Sequence, residues 1–302
     1  MATFMLATIG VAPAAGQSSD FGIFIGPPVP ADSQAYMVRV HATTSSAPIT
    51  VENITIGVNG QVVDVTFYLN HGSDTNALAS YSGTVAGVPL AAGTYTFRLF
   101  VRERFFGTGD YLGTGIPWYT LTVTVTPAEN VGEAVEYYYA ALNHYFMTAL
   151  PIEIAALDAG VFPGWNRTGQ SFKVYLADAS SAGAQVPTTP VCRFYGMPSA
   201  GLNTHFFSGS PAECAAVAAT WPNAWLLETS NAFYVFLPQP QSVYPPDPGA
   251  CPFGTQPLYR LFNNRADINH RYTTSLDIRA QMIAQGWLPE GYGANGVAMC
   301  AP

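Results

Sequence analysis

Lysine is all but missing from this chain. Lys173 stands alone in 302 residues, and arginine supplies the rest of the eleven basic side chains. Against nineteen acidic residues this leaves a net charge of −8. With no basic run, the chain has no electrostatic footprint for nucleic acid or for an anionic membrane surface. Charge of either sign is scarce, at 10% of residues. No apolar stretch reaches the roughly 20 residues that a membrane-spanning helix needs. The four cysteines form no C-x-x-C pair, so neither a zinc nor a dithiol redox motif is indicated. A G-x-S-x-G elbow, an H-E-x-x-H helix, a phosphate loop and a cysteine nucleophile with a local signature are also absent. No cofactor or metal is implied.

What remains is apolar and aromatic. Hydrophobic residues make up 49% of the chain and aromatics 13%, ample to bury a core and incompatible with a disordered acidic tail. The 28 glycines and 24 prolines predict short elements joined by turns. The length suits about two domains at roughly 150 residues each. Residues 1–15 are apolar and contain Ala12-Pro13-Ala14, which reads either as a first strand or as the remnant of a secretion signal.

From about residue 20 to 127 the side chains alternate with period 2, and turn residues recur every 8–15 positions, the pattern of an all-β sandwich. Val63, Val65, Phe67 and Leu69 share one face, as do Tyr95, Phe97, Leu99 and Val101, and then Tyr119, Leu121, Val123 and Val125. The opposing threonines Thr120, Thr122, Thr124 and Thr126 read as a solvated face. Asn59-Gly60 predicts a two-residue hairpin with positive φ at both positions. Pro89-Leu-Ala-Ala-Gly93 ahead of Thr94-Tyr-Thr-Phe97 resembles the turn and penultimate strand of immunoglobulin-like modules of bacterial surface proteins.

The second half repeats itself. A first copy runs Glu136-Tyr-Tyr-Tyr139, Asn143-His-Tyr-Phe-Met-Thr148, a helical Pro151–Leu157, Gly164-Trp165 and Ser171-Phe-Lys-Val-Tyr175. A second runs Cys192-Arg-Phe-Tyr195, Thr204-His-Phe-Phe-Ser208, Pro211–Val217, Ala224-Trp225-Leu-Leu-Glu228 and Ala232-Phe-Tyr-Val235. A third runs Tyr259-Arg-Leu-Phe262, Asn269-His-Arg-Tyr-Thr273, Leu276–Ile283, Gly286-Trp287-Leu-Pro-Glu290 and Gly296-Val-Ala-Met299. Each copy reads as two strands, a short helix and a closing strand. Three such copies packed about a pseudo-threefold axis bury what one cannot. The expected fold is therefore mostly β, with α+β character in its second half. Residues 1–127 form an immunoglobulin-like β-sandwich, and residues 135–302 a three-repeat domain with copies at about 135–177, 191–237 and 257–302.

Four cysteines allow three connectivities. The repeat favours Cys192–Cys214 and Cys251–Cys300, which keep each bond inside one copy and place the protein in an oxidising compartment.

Residues 135–302 resemble a family of tandem repeats of unknown function at the C-termini of secreted bacterial proteins. Its repeats run aromatic-Arg-aromatic, His-aromatic-aromatic-Thr, Trp, then Glu-Gly. Here Tyr259-Arg-Leu-Phe262, Thr204-His-Phe-Phe207 and Trp287 with Glu290-Gly291 carry the likeness. Asn166-Arg-Thr168 replaces the glutamate of copy one, and Arg271 replaces an aromatic in copy three. The resemblance implies a secreted or cell-surface accessory module and transfers no chemistry.

The repeated histidines His144, His205 and His270, beside Tyr145, Phe206 and Tyr272, are the sharpest ligand-binding candidates. A flat ring stacks on a sugar face while a ring nitrogen bonds a hydroxyl, which suits a glycan or polysaccharide. Three converging histidines could instead hold zinc, and a third reading makes each one a structural tie within its own copy. Trp165, Trp225 and Trp287 read as core anchors. Arg193 and Arg260 should pair with Glu228 and Glu290. No residue is assigned a catalytic role; for a polysaccharide hydrolase, Glu228 and Glu290 are the first to test. The expected function is a secreted, non-catalytic binding or adhesion module, with a hydrolase or a structural surface protein as the alternatives.

Overall fold

In the computed structural model, residues 21–44, 49–72, 79–180, 186–239 and 247–302 are described. The reading of residues 1–15 lies outside them. The chain is mostly β. Eight strands come first: β1 (Phe21–Gly26), β2 (Tyr36–Thr44), β3 (Ile49–Asn59), β4 (Val62–His71), β5 (Ala79–Gly87), β6 (Gly93–Phe105), β7 (Thr108–Leu112) and β8 (Tyr119–Val125). They form two sheets. One has the order β1-β2-β5; the other runs β3-β4-β6, with β7 and β8 pairing opposite ends of β6.

The period-2 pattern explains why the two sheets face each other. Val63, Val65, Phe67 and Leu69 of β4 and Phe97 and Leu99 of β6 are all at most 1% exposed, packed on Ile23, Ile25, Tyr36, Val38 and Val40 of the other sheet. The Tyr36 ring meets Phe97 edge-on at 5.7 Å and lies over Gly87, where a Cβ would come within 2.0 Å of it. Only glycine fits opposite that tyrosine.

Two expectations shift. Asn59 pairs with Val62, so the β3–β4 turn is Gly60-Gln61, one residue later than expected. Gly60 alone has positive φ, +58°, the requirement at the first central position of a type II′ turn, which a side chain at Asn59 does not share. Of the threonine row, Thr120 and Thr122 are exposed, but Thr126 is only 3% exposed, because its backbone pairs with Pro30 and Asp32. β4 and β6 run parallel, joined through β5 in the opposite sheet.

Twelve further strands and three helices follow. They are β9 (Val131–Tyr139), β10 (His144–Thr148), α1 (Pro151–Asp158), β11 (Trp165–Tyr175), β12 (Thr189–Pro190), β13 (Cys192–Gly196), β14 (Thr204–Ser208) and α2 (Pro211–Thr220). After these come β15 (Trp225–Thr229), β16 (Tyr234–Val235), β17 (Gln256–Phe262), β18 (His270–Thr273), α3 (Leu276–Ala284), β19 (Leu288–Glu290) and β20 (Val297–Ala301). An order of strand, strand, helix, strand thus occurs three times: β9-β10-α1-β11, β13-β14-α2-β15 and β17-β18-α3-β19. We call these the first, second and third units. In each, the first strand lies between the other two and pairs antiparallel with both.

The helices start where local chemistry directs. Ser210 and Ser275 cap α2 and α3, each accepting from an N–H at 3.3 Å, and Pro151 and Pro211 sit in the first turns of α1 and α2. Two residues before each cap position a hydroxyl, from Thr148, Ser208 or Thr273, accepts the cap residue's N–H at 3.0–3.1 Å. Disulfides join Cys192 to Cys214, tying β13 to α2, and Cys251 to Cys300, anchoring β20. The two halves of the chain touch where the Tyr175 hydroxyl donates to the carbonyl of Val29, which is buried beside Phe236 and Val297. Among the described residues no helix is long and apolar enough to cross a membrane.

Candidate functional site

The three units meet along the strands that follow each first turn, β10, β14 and β18, and the side chains there form a polar and aromatic network. Counting back from the matched hydroxyls Thr148, Ser208 and Thr273 aligns the strands. His205 and His270 stand three residues ahead of theirs; the same place in the first unit belongs to Tyr145. His144 is one residue out of register and matches Thr204 and Asn269 instead. The expected ring of three equivalent histidines is therefore corrected. The shared His-aromatic pair hides a one-residue offset that strand pairing exposes, since His205 opposes Tyr195 and Tyr145 opposes Tyr138.

His144, 1% exposed, is fully engaged inside the protein. Its Nδ1 lies 3.2 Å from the Asn203 carbonyl and its Nε2 3.1 Å from Asp267. Asp267 also accepts from Arg265 at 2.5 Å, and hydrogen bonds from Arg265 and His144 hold its carboxyl down at about 2. Asn269 accepts from Tyr145 N at 2.7 Å and donates to Tyr145 O and Thr204, both at 2.9 Å, stitching all three units together.

Between the second and first units, Arg193 grips Glu153 of α1 with both terminal nitrogens, at 2.8 and 2.9 Å. Its Nε lies 2.8 Å from Glu228 Oε2, an ion-pair contact outside hydrogen-bond alignment, and His205 Nε2 lies 3.3 Å from the same oxygen. The third and second units repeat this geometry. Arg260 grips Glu213 of α2 at 2.9 and 2.8 Å, its Nε is 2.9 Å from Glu290 Oε2, and His270 Nε2 is 3.3 Å from that oxygen. Both expected Arg–Glu pairs are present. The helix glutamates Glu153 and Glu213 escaped the sequence reading, although each stands two residues after the helix-opening proline.

The third interface, between the first unit and the third, carries the same chemistry with its charges exchanged. Where the other units have arginine, the first has Glu136; where they have Glu228 or Glu290, it has Thr168. Arg271 of the third unit donates to Glu136 at 2.9 and 2.8 Å, and the Thr168 hydroxyl adds a bond of 2.7 Å. The Arg271 guanidinium lies 4.1 Å from the Tyr145 ring centre, where Phe146 meets His205 and Phe206 meets His270 in the other two. The departures from the repeat at Thr168 and Arg271 thus compensate one another.

Residues 133–297 match the family described as a domain of unknown function, DUF5648. The chain belongs to that family. The DUF5648 region opens in β9 and ends on the first residue of β20, so all three interfaces fall inside it. No curated protein and no solved structure matches the chain.

Electrostatics in the DUF5648 region favour fixed charge. Burial alone would raise the carboxyls of Glu153, Glu213, Glu228 and Glu290, but the hydrogen bonds and charges of Arg193, Arg260, His205 and His270 outweigh it and hold all four below the usual carboxylate range. Burial lowers His270 below the ordinary histidine value, partly opposed by Glu290. Along the line where the units meet, Glu136, Tyr145, His205, His270 and Tyr272 border a cavity of about 10 Å³, scarcely room for one water. Among the described residues no group of three or more His, Cys, Asp or Glu is placed to hold a metal.

The aromatic candidates divide between inside and outside. Tyr272 is 5% exposed; its hydroxyl donates to Phe207 O at 2.7 Å and accepts from Phe207 N at 2.9 Å. Phe206 is 6% exposed, against the Trp225 ring. Trp225 and Trp287 are buried at 9% and 4% exposure, as expected of core anchors. Trp165 is not. It is half-buried, with Tyr139 stacked on it at 5.5 Å and Phe146 edge-on at 5.9 Å; Phe146 meets His205 at 4.6 Å, and His205 meets Tyr195 at 5.2 Å. All five rings are partly accessible. The row of rings between the first and second units, called the cleft below, is therefore more accessible than its counterpart between the second and third: the His205 side chain is 23% exposed, that of His270 8%.

Proposed function

We propose that this is a secreted or cell-surface bacterial protein that binds glycan without catalysis, built from an immunoglobulin-like sandwich and a pseudo-threefold, three-repeat domain. In this reading the DUF5648 region is the tandem-repeat module that the sequence resembles, and the two disulfides fit an oxidising compartment. The carrying observation is the accessible row of rings formed by Tyr139, Phe146, Trp165, Tyr195 and His205. Flat rings and an imidazole at its rim supply the stacking faces and the hydrogen-bonding nitrogen that a pyranose ring uses. His205, Tyr145 and Phe206 then differ in role. His205 meets ligand, while Tyr145 and Phe206 set the walls of the neighbouring interfaces; His144, His270 and Tyr272 tie units together.

The hydrolase alternative loses ground. A general acid at a glycosidic bond must stay protonated near neutral pH, with a raised pKa. Against the pull of burial, Glu228 and Glu290 are held in the opposite direction by His205 and His270 first, and then by Arg193 and Arg260.

The test is a glycan array probed with the full chain, its His205→Ala and its Trp165→Ala variants, with circular dichroism melting to confirm that each variant folds. The wild type is expected to bind a defined set of glycans, and both folded variants to lose at least tenfold in affinity. Equal binding by all three would sink the cleft. Product release from a polysaccharide panel, abolished by Glu228→Gln, would replace the reading with an enzyme.

A further inference from the structure

The outer face of the larger sandwich sheet carries a second constellation, far in sequence from the cleft. Along β6, the side chains that alternate with the buried Phe97, Leu99 and Val101 are Arg98, Phe100, Arg102 and Arg104, so one strand face holds three of the chain's few cations. Arg98 is held by Asp64 through two bonds of 2.7 Å, and Arg104 by Glu52 at 2.7 and 2.6 Å. Each of these pairs is neutral. Among the described residues Arg102 bonds only the Gly113 carbonyl, at 3.3 Å, and no carboxylate pairs with it. It is surplus positive charge on a chain of net charge −8.

Aromatic rings flank that charge. Tyr68 of β4 sits opposite Arg102 in the β4–β6 register and meets Tyr111 of β7 edge-on at 5.0 Å. Arg98 leans over Phe100 at 5.5 Å. Exposed Thr120 and Thr122 continue the face. A half-exposed sheet face with rings, hydroxyls and a guanidinium that no described carboxylate neutralises has the chemistry of a polymer-binding platform. The rings offer stacking faces to sugar C–H surfaces, the threonines bond hydroxyls, and the guanidinium forks onto a carboxylate.

We propose that this face binds a polysaccharide bearing carboxylates, a polyuronate, independently of the cleft between the first and second units. Arg102 supplies charge complementarity and selects the anionic polymer over a neutral one; Phe100 and Tyr68 supply the stacking surface.

Affinity electrophoresis of the full chain in native gels containing sodium alginate, a polyuronate, or hydroxyethylcellulose, a neutral glucan, tests this. The wild type is expected to be retarded by alginate and not by the neutral polymer, and 0.3 M salt should weaken the retardation. Arg102→Gln and Phe100→Thr are each expected to weaken it at least fivefold, with circular dichroism melting to confirm that both variants fold. His205→Ala should be retarded like wild type, which separates this face from the cleft. Absence of retardation in alginate, equal retardation in both polymers, or retardation lost in His205→Ala but kept in Arg102→Gln would each overturn the proposal.

Discussion

Replacing Glu136 by glutamine removes one charge from the interface whose polarity is exchanged. Glu136 and Arg271 have side chains only 5% and 11% exposed, and two hydrogen bonds of 2.9 and 2.8 Å join them. The amide keeps the shape but leaves Arg271 charged and half-satisfied, between the Tyr145 ring and the Met282 sulfur at 3.2 Å. Breaking a buried pair on one side costs about 3–5 kcal/mol. A domain whose whole stability is about 5–15 kcal/mol cannot hide such a loss. The double variant Glu136→Met, Arg271→Met removes both charges and replaces them with flexible apolar bulk. It is expected to recover to within about 1–2 kcal/mol of wild type, because the uncompensated charge, rather than a net gain from the pair, carries the cost. Urea unfolding at pH 7 with the disulfides intact, followed by near-ultraviolet circular dichroism, reads this, and the double-mutant cycle isolates the coupling. A Glu136→Gln loss under about 1 kcal/mol, or a double variant at least as unstable as the single one, would refute the reasoning.

Tyr272→Phe strips the hydroxyl that serves both backbone groups of Phe207, and should cost about 1–3 kcal/mol for each group left unpaired, read as a lower urea midpoint. His270 is kept neutral by burial, with its folded-state pKa below the ordinary value of 6.5. The unfolded chain therefore takes up this proton first as pH falls, so stability is full above about 6.5 and declines below it. Melting temperatures between pH 7.5 and 5 should show that decline, and His270→Gln should flatten it. Replacing both cysteines of a bond by alanine should cost about 3 kcal/mol for Cys192–Cys214 and about 4 kcal/mol for Cys251–Cys300 on the loop-closure account, because their sequence separations are 22 and 49. Equal costs, or the reverse order, would contradict it.

The alternation of Val63 to Leu69 and of Tyr95 to Val101 made the sandwich legible, because period 2 reports directly which face is buried. It does not report which strand lies alongside, so the parallel pairing of β4 with β6 had no signal. The Gly60 turn moved by one residue because Asn59-Gly60 and Gly60-Gln61 both satisfy glycine's role, and only the ladder register chooses. The same kind of slip placed His144 with His205 and His270. Repeat matching rewards identical letters, whereas the strand keeps register with the hydroxyls Thr148, Ser208 and Thr273. Arg193 and Arg260 were paired with Glu228 and Glu290 because all four recur within their units. Glu153 and Glu213 were missed because their partners lie in the next unit, although Pro151-Ile-Glu153 and Pro211-Ala-Glu213 match as closely. Thr168 and Arg271 were both visible as departures, and their complementarity with Glu136 emerges only once the first and third units touch.

Hydrogen–deuterium exchange of the full chain, with and without a glycan that the array selects, tests the central claim most directly. The account predicts added protection in peptides spanning 137–148, 162–168 and 195–206, around Phe146, Trp165, Tyr195 and His205, with peptides over 258–272 unchanged. Protection confined to 258–272, or none anywhere in the DUF5648 region, would contradict it.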